Sequence, residues 1–213
     1  PILIMNAEKK SFSSIAKNNL TPSIYSFEQL DEFIRTLIDH SILGYPIHLK
    51  IDTGMNRLGF KENEINEVCA LISNQPEVRV EGIFSHLSSS DNPNDDYFTQ
   101  NQLKCFEKIS KQIETQIGYE TIKHILNSSG IERFQNKSMD MVRLGLGLYG
   151  ISANNSVSPI VSLTTKISQI KSVEKGESIG YSRNTIASKL IKIGIIPIGY
   201  ADGFSRAFSN GKG

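Results

Sequence analysis

The chain has 213 residues, and its 23 Lys and Arg against 22 Asp and Glu leave a formal net charge of +1. That balance argues against a nucleic-acid-binding or membrane-surface protein, because both need a concentrated positive field. With 38% hydrophobic residues and no run long enough to cross a bilayer, the composition is typical of a soluble globular chain. The two cysteines, Cys69 and Cys105, have neither metal-ligand spacing nor a disulfide pattern, so we expect a cytoplasmic protein without a metal site.

Short apolar runs alternate with segments of helical period along the first 150 residues. We predict strands at residues 1–5, 21–25, 45–52, 78–87, 121–126 and 141–149. After Ser26, for example, Leu30, Phe33 and Leu37 recur at helical spacing. Such alternation predicts parallel strands with right-handed crossovers, in an open doubly wound sheet or a (β/α)8 barrel. A complete barrel needs eight strands and about 250 residues, so a barrel in this chain is incomplete.

The pattern changes after Gly150. Residues 152–158 form a polar linker, and no helical period follows it. We predict strands at 163–173 and 190–198 around a turn at 174–177, which indicates the first part of an antiparallel β domain. The predicted domains are therefore residues 1–151 and 152–213.

Polar residues follow several predicted strands, at the end where both architectures place their sites. Arg57 follows the Asp52-Thr53-Gly54 turn and suits a carboxylate or phosphate, although an exposed Arg on a turn is commoner. Lys50 lies inside the preceding apolar strand and needs a partner or a modification there. His86 ends another strand, as a structural residue or as a catalyst. The turn that contains Ser128 suits phosphate but is also an ordinary turn.

Arg143 lies in an otherwise apolar segment that also contains Gly145 and Gly147. A buried guanidinium beside a bare backbone indicates either an electron-rich ligand or an internal ion pair. Tyr181 and Tyr200 each follow a glycine in the second domain. A tyrosine can act as an acid or base where a nearby cation lowers its pKa, and it can equally pack at an interface.

Taken in chain order, these segments resemble the alanine racemases, fold-type III pyridoxal-phosphate enzymes with a barrel and a β domain. The matching segments are residues 50–59 (K-I-D-T-G-M-N-R-L-G), 81–86 (E-G-I-F-S-H), 127–130 (N-S-S-G), 142–150, 180–181 and 198–203. The resemblance implies an α/β fold: a partial (β/α)8 TIM-like barrel, with about strands 3 to 8 of the family, followed by the start of the antiparallel β domain.

The resemblance also implies roles around the cofactor pyridoxal 5′-phosphate. Arg143 faces the pyridine nitrogen and keeps it unprotonated, because a guanidinium only donates. Ser128 and the backbone of Gly145 and Leu146 hold the phosphate. Arg57 lies near the cofactor's phenolic oxygen and the substrate carboxylate.

Lys50, which is carbamylated in some relatives, holds Arg57 in place by the same resemblance. Tyr181 is one of two bases and reaches into a partner subunit's active site, which implies a homodimer, and His86 links Tyr181 to Arg143. Asp91 and Arg206 resemble residues that line the substrate entryway, and Tyr200 supports them.

The activity implied is interconversion of L- and D-alanine, which supplies D-alanine for peptidoglycan in a bacterial cell. In the family the second base is the lysine that carries the cofactor, on the first barrel strand. The first strand here resembles the family's third, so we expect that lysine upstream of Pro1 and no activity from these residues alone. The alternatives are a racemase of another small amino acid such as serine, and a non-catalytic pyridoxal-phosphate-binding relative. Decarboxylases of the same fold fit less well, because they pair the pyridine nitrogen with an acidic residue.

Overall fold

A computed structural model describes residues 1–152 and 156–208. Its internal contacts divide the chain into two compact units, Pro1–Ile160 and Val161–Gly213. Residues 153–155 of the predicted linker and the last five residues of the predicted second domain, 209–213, lie outside the described residues. The boundary after residue 151 stays a prediction.

The first unit is built on one parallel sheet of five strands, which are hydrogen-bonded in chain order. The strands are β1 (Leu3–Ile4), β2 (Thr21–Ile24), β3 (Tyr45–Lys50), β4 (Val78–Phe84) and β5 (Ile122–His124). The α-helices are α1 (Phe12–Lys17), α2 (Phe27–Asp39), α3 (Ile65–Ser73), α4 (Asp96–Ile117) and α5 (Ser128–Arg133). This curved run of β/α repeats is the predicted partial barrel.

Strands and helices form where apolar residues recur with the spacing that brings them to a buried face. In β3 and β4, Ile47, Leu49 and Val80 are completely buried, as the apolar runs predict for a sheet covered by helices. Helix α2 begins after Ser26, whose side chain accepts a hydrogen bond from the Gln29 N–H, and it buries one apolar face. Each fully buried Leu, Ile or Phe contributes roughly 1.5–3 kcal/mol relative to an exposed one.

The sixth strand predicted for the first unit, at residues 141–149, was wrong. The backbone N–H of Arg143 pairs with the Leu126 carbonyl, but the N–H groups of Gly145 and Gly147 instead donate to the Ser128 hydroxyl. The chain then forms a 3-10 turn over Leu146–Tyr149. The Ser128 hydroxyl thus accepts the hydrogen bonds that the carbonyl groups of a neighbouring strand would otherwise accept.

The second unit contains antiparallel pairs, as predicted. Strand β6 (Gln169–Val173) pairs with β9 (Ile191–Ile195), and the short strands β7 (Ser178–Ile179) and β8 (Thr185–Ile186) pair with each other. The predicted strands at 163–173 and 190–198 are both shorter in the structure, and the β7–β8 pair was not expected. None of the described helices combines the length and apolarity needed to cross a membrane.

Candidate functional site

The site lies at the carboxyl edge of the sheet in the first unit. Lys50 at the end of β3 is aligned with Phe84 at the end of β4, and Phe84 is aligned with His124 at the end of β5. Because the strands are parallel and in register, the polar segments that follow them meet at this edge. Arg143 enters the same edge from the segment after β5.

The Arg143 guanidinium is held by neutral acceptors. Its Nη1 atom donates to the His124 Nδ1 atom at 2.6 Å and to the His124 carbonyl at 3.2 Å. Its Nη2 atom donates to the Ser85 carbonyl at 2.6 Å and lies 3.2 Å from His86 Nδ1 and 3.3 Å from the Ile125 carbonyl. No carboxylate pairs with Arg143 among the described residues, so the ion-pair alternative is wrong there.

One donor of Arg143 is left over. The contacts above use the four terminal N–H groups, whereas the Nε–H group has no acceptor within the described ranges. Burial lowers the pKa of the guanidinium to about 10, so the group stays charged at neutral pH. Arg143 can therefore offer one fixed, charged donor to an acceptor outside the chain.

Two histidines that the sequence interpretation missed, His124 and His48, continue the hydrogen bonding from Arg143 into the sheet. His124 is fully buried, and its Nε2 atom lies 2.9 Å from His48 Nδ1. A guanidinium only donates, so His124 accepts at Nδ1 and carries its proton on Nε2, from which it donates to His48. His48 then carries its proton on Nε2, 3.8 Å from a Glu81 carboxylate oxygen. Arg143, His124 and His48 thus form a directional series of hydrogen bonds, and the Nε2–H group of His48 faces Glu81 at a longer distance.

Gly82 makes room for this series. A Cβ atom at Gly82 would lie 2.4–2.7 Å from three ring atoms of His48, closer than real contacts allow. The register between β3 and β4 also shifts between Ile47 and His48, which aligns His48 with Gly82 across the sheet. The glycine of the Glu81-Gly82 motif is thus required by an imidazole on the neighbouring strand.

His86 is neutral in this site. Burial, followed by repulsion from Arg143, Arg57 and Lys50, lowers its pKa to about 4. Because Arg143 donates to Nδ1, the His86 proton lies on Nε2. That N–H group has no acceptor within the described part of the chain, so it can donate to a further oxygen.

These buried histidines predict an acid-sensitive fold. Burial holds the pKa of His124 at about 3, against an ordinary value of 6.5 that it regains on unfolding. The unfolded chain therefore binds more protons below pH ~6.5, and stability that is complete above this pH is lost as the pH falls toward 3. We expect the Tm of the whole protein to fall between pH 6.5 and 4, and less steeply in a His124→Gln variant. If calorimetry shows that Tm falls equally steeply with pH in wild type and in His124→Gln, this prediction is wrong.

The loop after β3 is fixed by backbone pairing. The Phe60 N–H donates to the Lys50 carbonyl, and the Asp52 N–H donates to the Phe60 carbonyl. This close return requires Gly59, which has φ +130° and whose Cβ atom would lie 2.6 Å from the Asp52 nitrogen. The Asp52 carboxylate accepts from the backbone of Gly54 and Asn56, so it shapes the loop.

No hydrogen bond joins Lys50 to Arg57 in the described ranges. Lys50 is buried, with its Nζ atom 5.7 Å from the centre of the Phe84 ring, whereas Arg57 is exposed. Burial lowers the pKa of the Lys50 amine, and the charges of Arg57 and Arg143 lower it further. The predicted role of Lys50 in holding Arg57 stays a prediction.

A cavity of about 300 Å³ adjoins Arg143. Its lining residues come from the ends of β4 and β5 and from the segment around Arg143: His86, Asn127, Ser128, Ser129, Arg143, Leu144, Gly145 and Leu146. The Ser128 hydroxyl accepts from the N–H groups of Gly145 and Gly147 at 2.9 and 3.1 Å. The structure thus brings together Arg143, His86, Ser128, Gly145 and Leu146.

Four further predicted residues lie on loops and short 3-10 turns. Asp91 is exposed in the loop between β4 and α4. In the second unit, Tyr181 lies on the turn between β7 and β8 with 97% of its surface exposed. Arg206 lies over the Tyr200 ring, 4.2 Å from its centre. The roles of these four residues stay predictions.

Comparisons with known proteins agree on one family. The chain matches the family models "Alanine racemase, N-terminal domain" over residues 1–153 and "Alanine racemase, C-terminal domain" over residues 160–213. It is 36% identical to alanine racemase 1 of Oceanobacillus iheyensis over 220 residues, covering 99% of the chain and 57% of that protein. For the alanine racemase of Helicobacter pylori, the identity is 35% over 224 residues, covering 99% of the chain and 59% of that protein.

Solved structures give the same result. The alanine racemase of Clostridium difficile 630 superposes with a TM-score of 0.81 at 29% identity, covering 99% of this chain and 57% of that one. The alanine racemase of Bacillus anthracis with bound L-Ala-P gives a TM-score of 0.80 at 27% identity, covering 95% and 54%. The chain therefore spans a little over half the length of the relatives it matches.

Proposed function

Because this chain belongs to the alanine racemase family, we propose that the whole protein interconverts L- and D-alanine with pyridoxal 5′-phosphate as its cofactor. The observation that carries the proposal is the Arg143 guanidinium, whose terminal N–H groups are held by protein acceptors while Nε–H is unpartnered in the described ranges. The 300 Å³ cavity adjoins this group.

The residues around the cavity fit this cofactor. A pyridine nitrogen is an acceptor that suits the free Nε–H of Arg143, and a phosphate suits hydroxyl and backbone donors. The Ser128 oxygen accepts from two backbone N–H groups, while its own proton has no partner in the described ranges and is free to donate. We propose that Arg143 holds the pyridine nitrogen and that the Ser128 hydroxyl and the Leu146 N–H group hold the phosphate. The backbone of Gly145 would join them when its N–H group exchanges the Ser128 oxygen for a phosphate oxygen.

When bound, pyridoxal phosphate supplies an electron sink that makes the Cα proton of an amino acid acidic. A guanidinium contains no acceptor atom and keeps its own protons, so a ring nitrogen held by Arg143 would stay unprotonated and the sink would stay moderate. A moderate sink favours return of the proton to Cα over side reactions. This balance suits a racemase.

Racemisation removes a proton from one face of Cα and delivers one to the other face, so it needs two bases. We propose the Tyr181 phenolate as one of them, acting in the partner subunit's site of a homodimer. The Nε2–H group of His86, which has no acceptor in the described ranges, is free to donate to such an oxygen while Arg143 holds the other ring nitrogen. The second base is proposed to be a cofactor-carrying lysine outside this chain.

Five further residues take part in the proposed reaction. Arg57 binds the substrate carboxylate, with Lys50 holding it in place, and Asp91, Tyr200 and Arg206 lie along the substrate entryway. The product D-alanine would serve peptidoglycan synthesis in the cytoplasm.

The direct test is chiral chromatography of L-alanine incubated with the purified whole protein, with and without added pyridoxal phosphate. We expect D-alanine to form until both enantiomers are equal, and we expect Tyr181→Phe, which keeps the ring and removes the hydroxyl, to lower the rate by about 10²-fold or more. Faster turnover of serine would favour a different racemase. Bound cofactor without exchange of the alanine Cα proton would favour a non-catalytic relative.

A further inference from the structure

A buried glutamine, Gln102, joins the two loops that carry His86 and Arg57. It lies on α4, outside all the segments matched above, and is 1% exposed. Its Oε1 atom accepts from the Ser88 N–H at 3.0 Å, and its Nε2 atom donates to the His86 carbonyl at 3.2 Å. The amide thus holds the backbone on both sides of Leu87, next to the His86 side chain.

The second Nε2 proton reaches the other loop. Gln102 Nε2 lies 3.3 Å from the Thr53 hydroxyl, which lies 2.8 Å from the Ser85 hydroxyl. Ser85 has one hydroxyl proton and gives it to the Ile51 carbonyl at 2.7 Å. Thr53 must therefore donate to Ser85 and accept from Gln102, so the direction of every hydrogen bond is fixed.

This network ends on groups that position the guanidinium. Both Ser85 and His86 supply acceptors to Arg143, the Ser85 carbonyl and the His86 Nδ1 atom. Thr53 belongs to the turn that leads to Arg57. Because the buried Gln102 amide makes hydrogen bonds to Ser88, His86 and Thr53, it fixes the distance between the loop that carries His86 and the loop that carries Arg57.

We propose that Gln102 is a positioning residue that sets His86 and the Arg57 loop relative to Arg143. The proposal rests on the proposed function. Gln102 does not touch the cavity, so it acts through Ser85, His86 and Thr53. A helix that otherwise contributes packing thereby contributes to the geometry of the site.

The test uses the whole protein loaded with pyridoxal phosphate. Gln102→Met keeps the size of the side chain and removes all its hydrogen bonds, and we expect kcat/KM to fall by about 10- to 100-fold. Thr53→Val breaks the same series one step later, so the double variant should lose much less than the product of the two losses. The matched control is Gln112→Met, about three turns further along α4, where the amide donates to Asn66.

A pH series separates positioning from loss of packing. In Gln102→Glu a protonated carboxyl can still accept from Ser88 and donate to one of the two remaining partners, whereas a carboxylate cannot donate. We expect activity of this variant relative to wild type to be highest at low pH and to fall as the acid ionises, while Gln102→Met stays reduced by a constant factor. A parallel loss in both variants at every pH, or independent losses in the double variant, would overturn the proposal.

Cofactor affinity gives a readout that does not depend on racemisation. We expect Gln102→Met to bind pyridoxal phosphate several-fold more weakly than wild type and Gln112→Met to bind it equally well. If wild type fails to racemise alanine but this difference persists, the proposed function fails and the positioning role stands. Equal affinities in all three proteins would overturn the positioning role.

Discussion

An Arg143→Ala variant of the whole protein should lose alanine racemisation by about 10²- to 10⁴-fold. The substitution removes the charged Nε–H donor proposed for the pyridine nitrogen. It also removes the donors to His124, Ser85 and Ile125, and each buried acceptor left unsatisfied costs about 1–3 kcal/mol. Steady-state kinetics and urea unfolding separate the two effects, since a loss of activity that exceeds the unfolded fraction belongs to the site.

The pKa of His86 should also respond to the Arg143→Ala substitution. Burial is the main cause of its low pKa and repulsion from Arg143 is the next, so Arg143→Ala should move the His86 pKa from about 4 part of the way toward 6.5. Arg143→Lys retains the charge but not the planar set of donors, so it should keep the His86 pKa low while losing activity. An alanine variant with wild-type kcat/KM would contradict the role of Arg143.

A Gly82→Ala variant should be destabilised by about 1–3 kcal/mol and lose most of its activity. The added methyl group collides with the His48 ring, which must then leave its contact with His124 Nε2. His124 in turn fixes Nη1 of Arg143, so a change at Gly82 reaches the site through two imidazoles. The free energy of unfolding and kcat/KM are the two measurements.

The double variant Gly82→Ala/His48→Ala separates collision from backbone effects. Removing the ring gives the methyl group its space, so the double variant should be more stable than the glycine substitution alone. Activity should not return, because His124 then lacks its acceptor. A double variant with the summed losses of both single variants would show that Gly82 acts by another route.

The sequence predicted the central strands β2, β3 and β4 well because they are largely buried runs. Strand β3, for instance, is buried along nearly its whole length, and residues 45–52 were predicted to contain it. The edge that carries the site also followed from the pattern, since parallel strands bring their ends together. The failure at residues 141–149 has a local cause, because Ser128 captures the N–H groups that a sixth strand would need.

The roles of His48 and His124 depend on how neighbouring strands are aligned, and this register cannot be predicted from the sequence alone. A single histidine in an apolar strand such as β3 is commonly a packed core residue. Only the alignment of His48 with Gly82 shows that its ring has the space to accept a hydrogen bond from His124. His124 likewise gains its role from the distant Arg143. The available signal was the pair His48 and Lys50, two polar residues on one face of a buried strand. Gln102 gave no signal, because one polar residue within a helix is ordinary.

The most direct measurement is the protonation state of the cofactor's ring nitrogen, by ¹⁵N NMR of the whole protein reconstituted with ring-labelled pyridoxal phosphate. Arg143 can only donate, so we predict the chemical shift of an unprotonated, hydrogen-bonded pyridine nitrogen that moves in Arg143→Ala. A pyridinium shift in the wild-type protein, or a shift that Arg143→Ala leaves unchanged, would contradict the proposal that Arg143 holds this nitrogen.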